Sequence, residues 1–286
     1  MTALQAYAAG WALVPDAPGP GTRHLEHMRS LGGQPSELVI VEAVRDARRA
    51  AMERARARLY RKHSKIIAAA LLAALGRLNV GHLVGGMLLF GTTSTNKRSR
   101  AAWATTLLGA AVVAAPDLYA ALQDANAAAW RAASALGRAE AMASTSAGPP
   151  DPAAVAKALP DARTAMAAAS APDWTSAQLG WLSWELAADK VVAAPDPEQA
   201  ARDVLSAGTQ VVNATEDAMH QALSGAFVAW WRDSAGTSLG QLWWATEQDD
   251  RVCPICIALE GDSPYDASSA PVPPEHPLCR CHLERG

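Results

Sequence analysis

Apolar side chains recur with helical spacing along most of this 286-residue chain. A run without Pro or Gly from Glu37 to Leu75 predicts one or two long helices, basic in their first part and apolar in their second. Further helices are predicted from Ser99 to Ala115, from Asp117 to Ala143 and from Glu198 to about Asp233. The segment QLWWATE at 241–247 instead has the aromatic and branched side chains of a short strand. The pattern predicts a mainly α protein built as a long-helix bundle.

Turn-forming residues divide this pattern into five segments. They are a turn-rich lead at 1–37, a helical region at 38–145, a Pro-rich linker with short helices at 146–197, a long helix at 198–238 and a Cys-rich module at 239–286. Within the linker, Pro160 is expected to bound one of the short helices. Asp196 and Pro197 are residue types that favour an N-cap and a first helical position, so we expect them to open the long helix.

Residues 66–91 form the most apolar stretch, which is close to the length that a bilayer core requires. Arg77, Asn79 and His82 lie near its middle, and several glycines weaken it as an isolated helix. We therefore expect helices buried in a protein core, and a membrane span stays open as the alternative.

Charge is distributed unevenly along the chain. The formal net charge of −3 by itself indicates no obligatory nucleic-acid partner. Between residues 45 and 65, however, nine basic residues stand against two acidic ones, a local charge of about +7 that leaves about −10 elsewhere. The basic residues are Arg45, Arg48, Arg49, Arg54, Arg56, Arg58, Arg61, Lys62 and Lys65. They can contact DNA phosphates or an acidic protein surface, and a solvated helix face is the alternative.

All four cysteines lie between residues 253 and 281, in two close pairs separated by 22 residues. A Cys-x2-Cys pair brings two sulfur atoms to one tetrahedral ion, and the second pair or a nearby histidine can complete the ligand set. The candidate ligands are Cys253, Cys256, His276, Cys279 and Cys281, with His282 as a weaker one. The spacing predicts a structural zinc site of four cysteines, or of three cysteines and one histidine.

Two other states of the thiols stay open. Disulfides can join one pair to the other, although the short Cys279-x-Cys281 spacing disfavours a bridge within that pair. Free or redox-active thiols are the second alternative, but a redox Cys-x-x-Cys usually has a βαβ context that is not predicted here. The N-terminal residues lack the features of a signal peptide, so we expect synthesis in a reducing cytoplasm, where zinc is favoured over disulfides.

The same residues give no support for an enzyme. A zinc deaminase has H-x-E followed by P-C-x-x-C. Here His24-Leu25-Glu26 lies far upstream, and Val252 rather than proline precedes Cys253. No arrangement of nucleophile and base surrounds the acidic residues near the cysteines, so we expect no catalytic residue and no small-molecule substrate.

The order of residues around the cysteines resembles a known pattern. Residues 243–284 are similar to the C-terminal signature of the phage Mu F-like head morphogenesis family, the minor head proteins of tailed bacteriophages. The matching residues are Trp244, Thr246, Asp249, Asp250, Arg251, Val252, Cys253, Pro254, Cys256, Leu259, Glu260, Gly261, Pro274, His276, Pro277, Cys279, Arg280 and Cys281. The resemblance covers about Leu239 to Glu284, and more loosely the helix from Val204. Residues before 198 are unmatched.

The resemblance implies a structural minor capsid protein that acts in head morphogenesis, and in some relatives in DNA packaging or ejection. It implies a place in the virion, in the head interior or at the portal vertex, after synthesis in the bacterial host cytoplasm. The implied partners are the portal protein, a scaffold or major capsid protein, and packaged DNA. The alternative function is a sequence-independent DNA-binding or packaging factor that uses the basic N-terminal helix.

Overall fold

A computed structural model describes residues 35–93, 97–144, 148–234, 241–246, 252–276 and 279–285. Across these residues the protein is mainly helical, with a small three-stranded sheet near the C-terminus, so the predicted fold class is confirmed. Most of the predicted lead lies outside the described residues. Its last three residues belong to the first helix, which begins at Pro35.

The elements are numbered in chain order. The helices are α1 (Pro35–Leu75), α2 (Val80–Thr93), α3 (Lys97–Val113), α4 (Pro116–Ala143), α5 (Pro152–Ala167), α6 (Thr175–Leu186), α7 (Asp189–Val192), α8 (Pro197–Ala207), α9 (Thr209–Ser234) and α10 (Pro254–Gly261). The strands are β1 (Gln241–Ala245), β2 (Tyr265–Asp266) and β3 (His282–Arg285). The predicted strand in QLWWATE is thus confirmed as β1.

The predicted long helix at 198–238 is instead two helices, α8 and α9, which meet at Gly208. Asp196 caps α8 as expected, because its side chain accepts a hydrogen bond from the backbone N–H of Gln199 at 2.9 Å. Gly208 ends α8 in the left-handed conformation, with φ of 61°, which glycine adopts without steric strain. A Cβ atom there would also lie 3.0 Å from a methyl group of Leu72. The backbone therefore turns at Gly208, where the apolar pattern predicted that a single helix would continue.

Pro160 does not end a helix, contrary to the sequence-based expectation. Helix α5 continues through it to Ala167. A proline inside a helix removes the N–H that would bond to the carbonyl four residues earlier. Both Pro160 and Ala156, which carries that carbonyl, are exposed, so water can satisfy the orphaned acceptor.

The chain folds into two compact units, each assembled from segments that are distant in sequence rather than from consecutive domains. One unit consists of Leu59–Trp130 and Ser170–Ala218. Its core includes Met87 and buried leucines of α1, α2, α3, α4 and α6. Helix α2 packs on α3, which in turn packs on α6. The buried Gln178 side chain of α6 donates to Asn126 of α4 and to Thr215 of α9, both at 3.0 Å.

The apolar stretch 66–91 contributes to the core of this unit. Its fully buried side chains are Ile67, Leu71, Ala74, Leu83 and Met87. No single helix among the described residues is long and apolar enough to cross a membrane. The two consecutive helix pairs that together reach the length are bent by 84° and 104°.

The other unit contains Met1–Arg58, Arg131–Ala169 and Met219–Gly286, and it includes the sheet. The strand order is β2-β1-β3 and both pairings are antiparallel. Helices α4 and α9 approach closely in this unit, since a Cβ atom on Gly137 would lie 1.9 Å from the backbone oxygen of Leu223. Trp231 of α9 and Trp244 of β1 are buried in one apolar cluster with three of the cysteines.

Candidate metal centre

Cys253 and Cys256 are positioned by the first turn of α10. Cys253 is the N-cap residue, and its sulfur accepts a hydrogen bond from the backbone N–H of Cys256 at 3.3 Å. Pro254 occupies the first helical turn, where backbone N–H groups have no partner within the helix, so proline loses no hydrogen bond there. Capping therefore directs both sulfur atoms toward the same end of the helix.

The structure brings all five predicted ligands into two overlapping groups. Cys253, Cys256 and His276 form one group, and Cys256, Cys279 and Cys281 form the other. Within each group the donor atoms lie within 4.8 Å of one another. The Cys256 sulfur is 3.3 Å from His276 Nε2 and 3.8 Å from the Cys279 sulfur. Since Cys256 belongs to both groups, it is the central residue of the cluster.

The cysteine-histidine cluster lies at the edge of the apolar core. Cys256, Cys279 and Cys281 are buried, whereas Cys253 and His276 are half-buried. None of the four cysteines, all of which are described, forms a disulfide. The sulfur atoms are thus available as ligands, and the disulfide alternative is not the arrangement in this structure.

The thiols do not have equal acidity. A hydrogen bond from the Cys281 side chain lowers the pKa of Cys279 to about 5, although burial opposes the shift. The same interaction raises the pKa of Cys281 far above its ordinary value. Burial, followed by the hydrogen bond to Cys253, raises the pKa of Cys256 to about 12. These shifts favour the thiolate at Cys279 and the protonated thiol at Cys256 and Cys281, and a bound cation would favour deprotonation of the latter two.

Hydrogen bonds from neighbouring elements hold the backbone around the cluster. Thr246 follows β1 and donates from its hydroxyl to Glu260 of α10 at 2.9 Å. The Ser263 hydroxyl accepts from the backbone N–H of Trp244 at 2.8 Å. The Tyr265 hydroxyl donates to the Leu259 carbonyl at 2.7 Å. These contacts fix α10 against β1, so the cysteines at its N-terminus keep a defined position.

His220 of α9 contacts the second cysteine pair, and sequence analysis gave this histidine no role. Its Nδ1 atom is 3.0 Å from the Cys279 carbonyl, which only an N–H can donate to. Complete burial lowers the pKa of His220 to about 4, so the ring is neutral at physiological pH. The signal in the sequence was its position on the apolar stripe of α9 with Leu223, Phe227 and Trp231.

Glu284, two positions after His282, links β3 to α1 through a buried charge cluster. Its carboxylate accepts from Arg45 at 2.6 Å, from Arg49 at 2.9 Å and from His282 at 3.0 Å. Burial alone raises the pKa of this carboxyl, but the guanidinium groups outweigh burial and hold the pKa well below its ordinary value. A second internal pair joins Arg56 of α1 to the buried Glu140 of α4.

These contacts correct the predicted DNA or portal surface for three residues. Arg45, Arg49 and Arg56 face carboxylates of the same chain rather than solvent, because a buried acid needs a paired cation. Arg48 is half-buried. The other predicted contact residues, which are Arg54, Arg58, Arg61, Lys62 and Lys65, are exposed.

Some residues of the predicted signature, which are Asp249, Asp250, Arg251 and Pro277, lie outside the described residues. No family model, curated protein or solved structure matches the chain.

Proposed function

We propose that the chain is a structural minor head protein of a tailed bacteriophage, with a C-terminal module held together by zinc. The proposal rests on the ordered resemblance of residues 244–281 to the Mu F-like signature, together with the placement of its Cys and His residues in two overlapping groups. The resemblance and the ligand groups are more specific together than either is alone, because cysteine pairs occur in many small modules.

The contacts among signature residues support the proposal. Thr246 and Glu260 are hydrogen-bonded to each other, and Trp244 is fully buried in the same apolar cluster as Cys256. Residues that are separated in the signature thus help to hold the same C-terminal module together. A short Pro-rich segment of this kind has too little apolar area to fold alone, so a metal ion and packing against α9 are reasonable sources of its stability.

Zinc is the ion that the donor set favours. Thiolates and imidazole are its common ligands in tetrahedral structural sites. We propose Cys253, Cys256 and Cys279 as three ligands, with either His276 or Cys281 as the fourth. The ion would join the N-terminus of α10 to the segment that leads into β3, which are the two parts that the ligands come from.

The protein would act at the portal vertex or in the head interior, as a component that binds the portal protein. Its partners there would be the portal protein and a scaffold or major capsid protein.

The test is genetic, in a phage or prophage that encodes this chain. Deletion of its coding sequence should abolish DNA-filled heads, and the wild-type chain supplied in trans should restore them. Cys256→Ser should fail to restore them, whereas the exposed substitution Lys157→Gln should succeed as a control. Mass spectrometry of purified virions should detect the chain. Particles of normal titre that form without it would rule out a head function.

A further inference from the structure

We propose that one face of α1 binds the phosphate backbone of double-stranded DNA. The proposal goes beyond a structural role in the head, because it requires neither the metal nor a phage particle. The surface, called the basic stripe from here on, consists of Arg54, Arg58, Arg61, Lys62 and Lys65. All five side chains are exposed, and all belong to one unbroken helix.

Helix geometry places these side chains in a row. At 3.6 residues per turn, Arg54, Arg58, Arg61 and Lys65 point within an arc of about 60°, and Lys62 lies at its margin. The row is roughly 16 Å long at 1.5 Å of rise per residue. A straight series of cations with a spacing of one helical turn is thus presented to solvent.

Three other arginines of the same run lie on the opposite side of the helix. Arg45, Arg49 and Arg56 are about 180–220° from Arg54 around the axis, and they pair with Glu284 and Glu140. Arg48 is half-buried and lies between the two sides, about 120° from Arg54. The basic stripe therefore comprises the exposed members of the run, and the three inner arginines form ion pairs within the protein.

Nothing within the helix neutralises the basic stripe. No Asp or Glu stands three or four residues from any of its members, where a helical ion pair would form. Among the ion pairs of the described residues, none includes a member of the stripe. Arg54 and Arg58, and likewise Arg61 and Lys65, are like charges at i and i+4, which destabilise a helix. A polyanion would relieve this repulsion.

Duplex DNA fits the surface better than a membrane does. A helix that lies in a bilayer surface must insert an apolar face, but Met52, Ile67 and Leu71 on the inner side of α1 are buried in the protein. A phosphate backbone repeats its charge regularly, and arginine and lysine neutralise it without reading the sequence. A row of cations on a helix that is packed on one side suits backbone contacts rather than insertion into a groove.

The experiment measures binding of the full-length protein to a fluorescent 25-base-pair duplex by anisotropy at several salt concentrations. If all five cations contact phosphates, the affinity should fall by about 500-fold between 50 and 200 mM salt, whereas one contact gives only about 3- to 4-fold. The test variant replaces Arg54, Arg58, Arg61 and Lys65 by Gln. The control variant replaces the exposed Arg77, Arg131, Arg163 and Lys157 by Gln, which changes the net charge equally.

The proposal expects the stripe variant to lose the affinity and most of the salt dependence, while the control variant keeps both. Equal weakening of the two variants would overturn it, since total charge would then explain binding. Absence of wild-type binding at 50 mM salt would also overturn it, as would vesicles with anionic lipid competing more strongly than unlabelled duplex. Neither variant should unfold at a lower temperature than the wild type, because the substituted side chains are exposed. None of these outcomes depends on whether the chain acts in a phage head.

Discussion

Glu284 accepts a hydrogen bond from Arg45 at 2.6 Å although 239 residues separate the two in sequence. The side chains are only 3% and 6% exposed, and Arg49 binds the second carboxylate oxygen. Two guanidinium groups thus share one buried carboxylate, which also contacts the neutral ring of His282. The stability of β3 and of the first part of α1 should therefore depend on each other.

Glu284→Gln tests this dependence. The substitution leaves two guanidinium groups with no opposing charge in a buried setting, which typically costs about 3–5 kcal/mol. We expect the free energy of unfolding, measured by urea denaturation at pH 7, to fall by that amount.

The matched control is Glu198→Gln, which removes the carboxylate of an exposed i,i+4 pair with Arg202. An exposed pair near a helix N-terminus contributes less than about 1 kcal/mol. If Glu284→Gln lowers the free energy of unfolding no more than the control does, the buried ion pair stabilises the protein no more than an exposed one.

The contribution of Glu284 should also depend on pH. Because its pKa is lower in the folded than in the unfolded protein, the stabilisation is complete above the unfolded carboxyl pKa of about 4.3 and is lost as the pH falls through the folded pKa. The difference in unfolding free energy between wild type and Glu284→Gln should be constant from pH 7 to 5 and should shrink below about pH 4. A difference that grows as the pH falls would contradict the assigned direction.

Gly137→Ala tests the close approach of α4 and α9. The added methyl carbon would fall 1.9 Å from the Leu223 carbonyl oxygen, so the helices must separate. We expect a loss of about 1–3 kcal/mol or more, the range for overpacking. Gly225→Ala on α9 is the control, because it has open space around it and should gain up to about 1 kcal/mol of helix propensity. Equal effects in thermal unfolding would refute the steric argument.

Metal content tests the zinc site and identifies its fourth ligand. The purified protein should hold about one zinc ion per chain, and Cys256→Ser should reduce this to about a tenth or less, since Cys256 belongs to both groups. Of His276→Asn and Cys281→Ser, one should keep the ion and the other should lose it, which identifies the fourth ligand. Tryptophan fluorescence should report the loss, because Trp244 belongs to the buried cluster that contains Cys256. Wild-type protein without zinc, and with no change on chelation, would exclude the metal.

The helical fold could be predicted because local information determines it. The absence of Pro and Gly predicted α1, apolar spacing predicted α4, and residue preference predicted the Asp196 cap. Gly208 was not recognised as a helix end, because the apolar pattern continues past it, although glycine is the residue type that most often ends a helix in the left-handed conformation.

Part of the candidate site could also be predicted from the sequence, and part could not. The ligands could be predicted from cysteine spacing, a local property. The roles of Glu284 and His220 could not, because each depends on a residue that is close only in the folded protein. The division of the basic run was within reach of sequence analysis, since a helical projection already separates Arg56 from Arg54 by about 200°.

The separation between Arg45 and Glu284 also has a consequence for biosynthesis. Arg45 is translated 239 residues before its partner, which at ribosomal speeds of 5–20 residues per second is a delay of roughly 12–50 s. During that interval the charge that Arg45 must bury has no counter-ion, so this part of α1 cannot settle into its final environment. The unit that contains Glu284 is therefore expected to complete its folding late, after translation has reached β3.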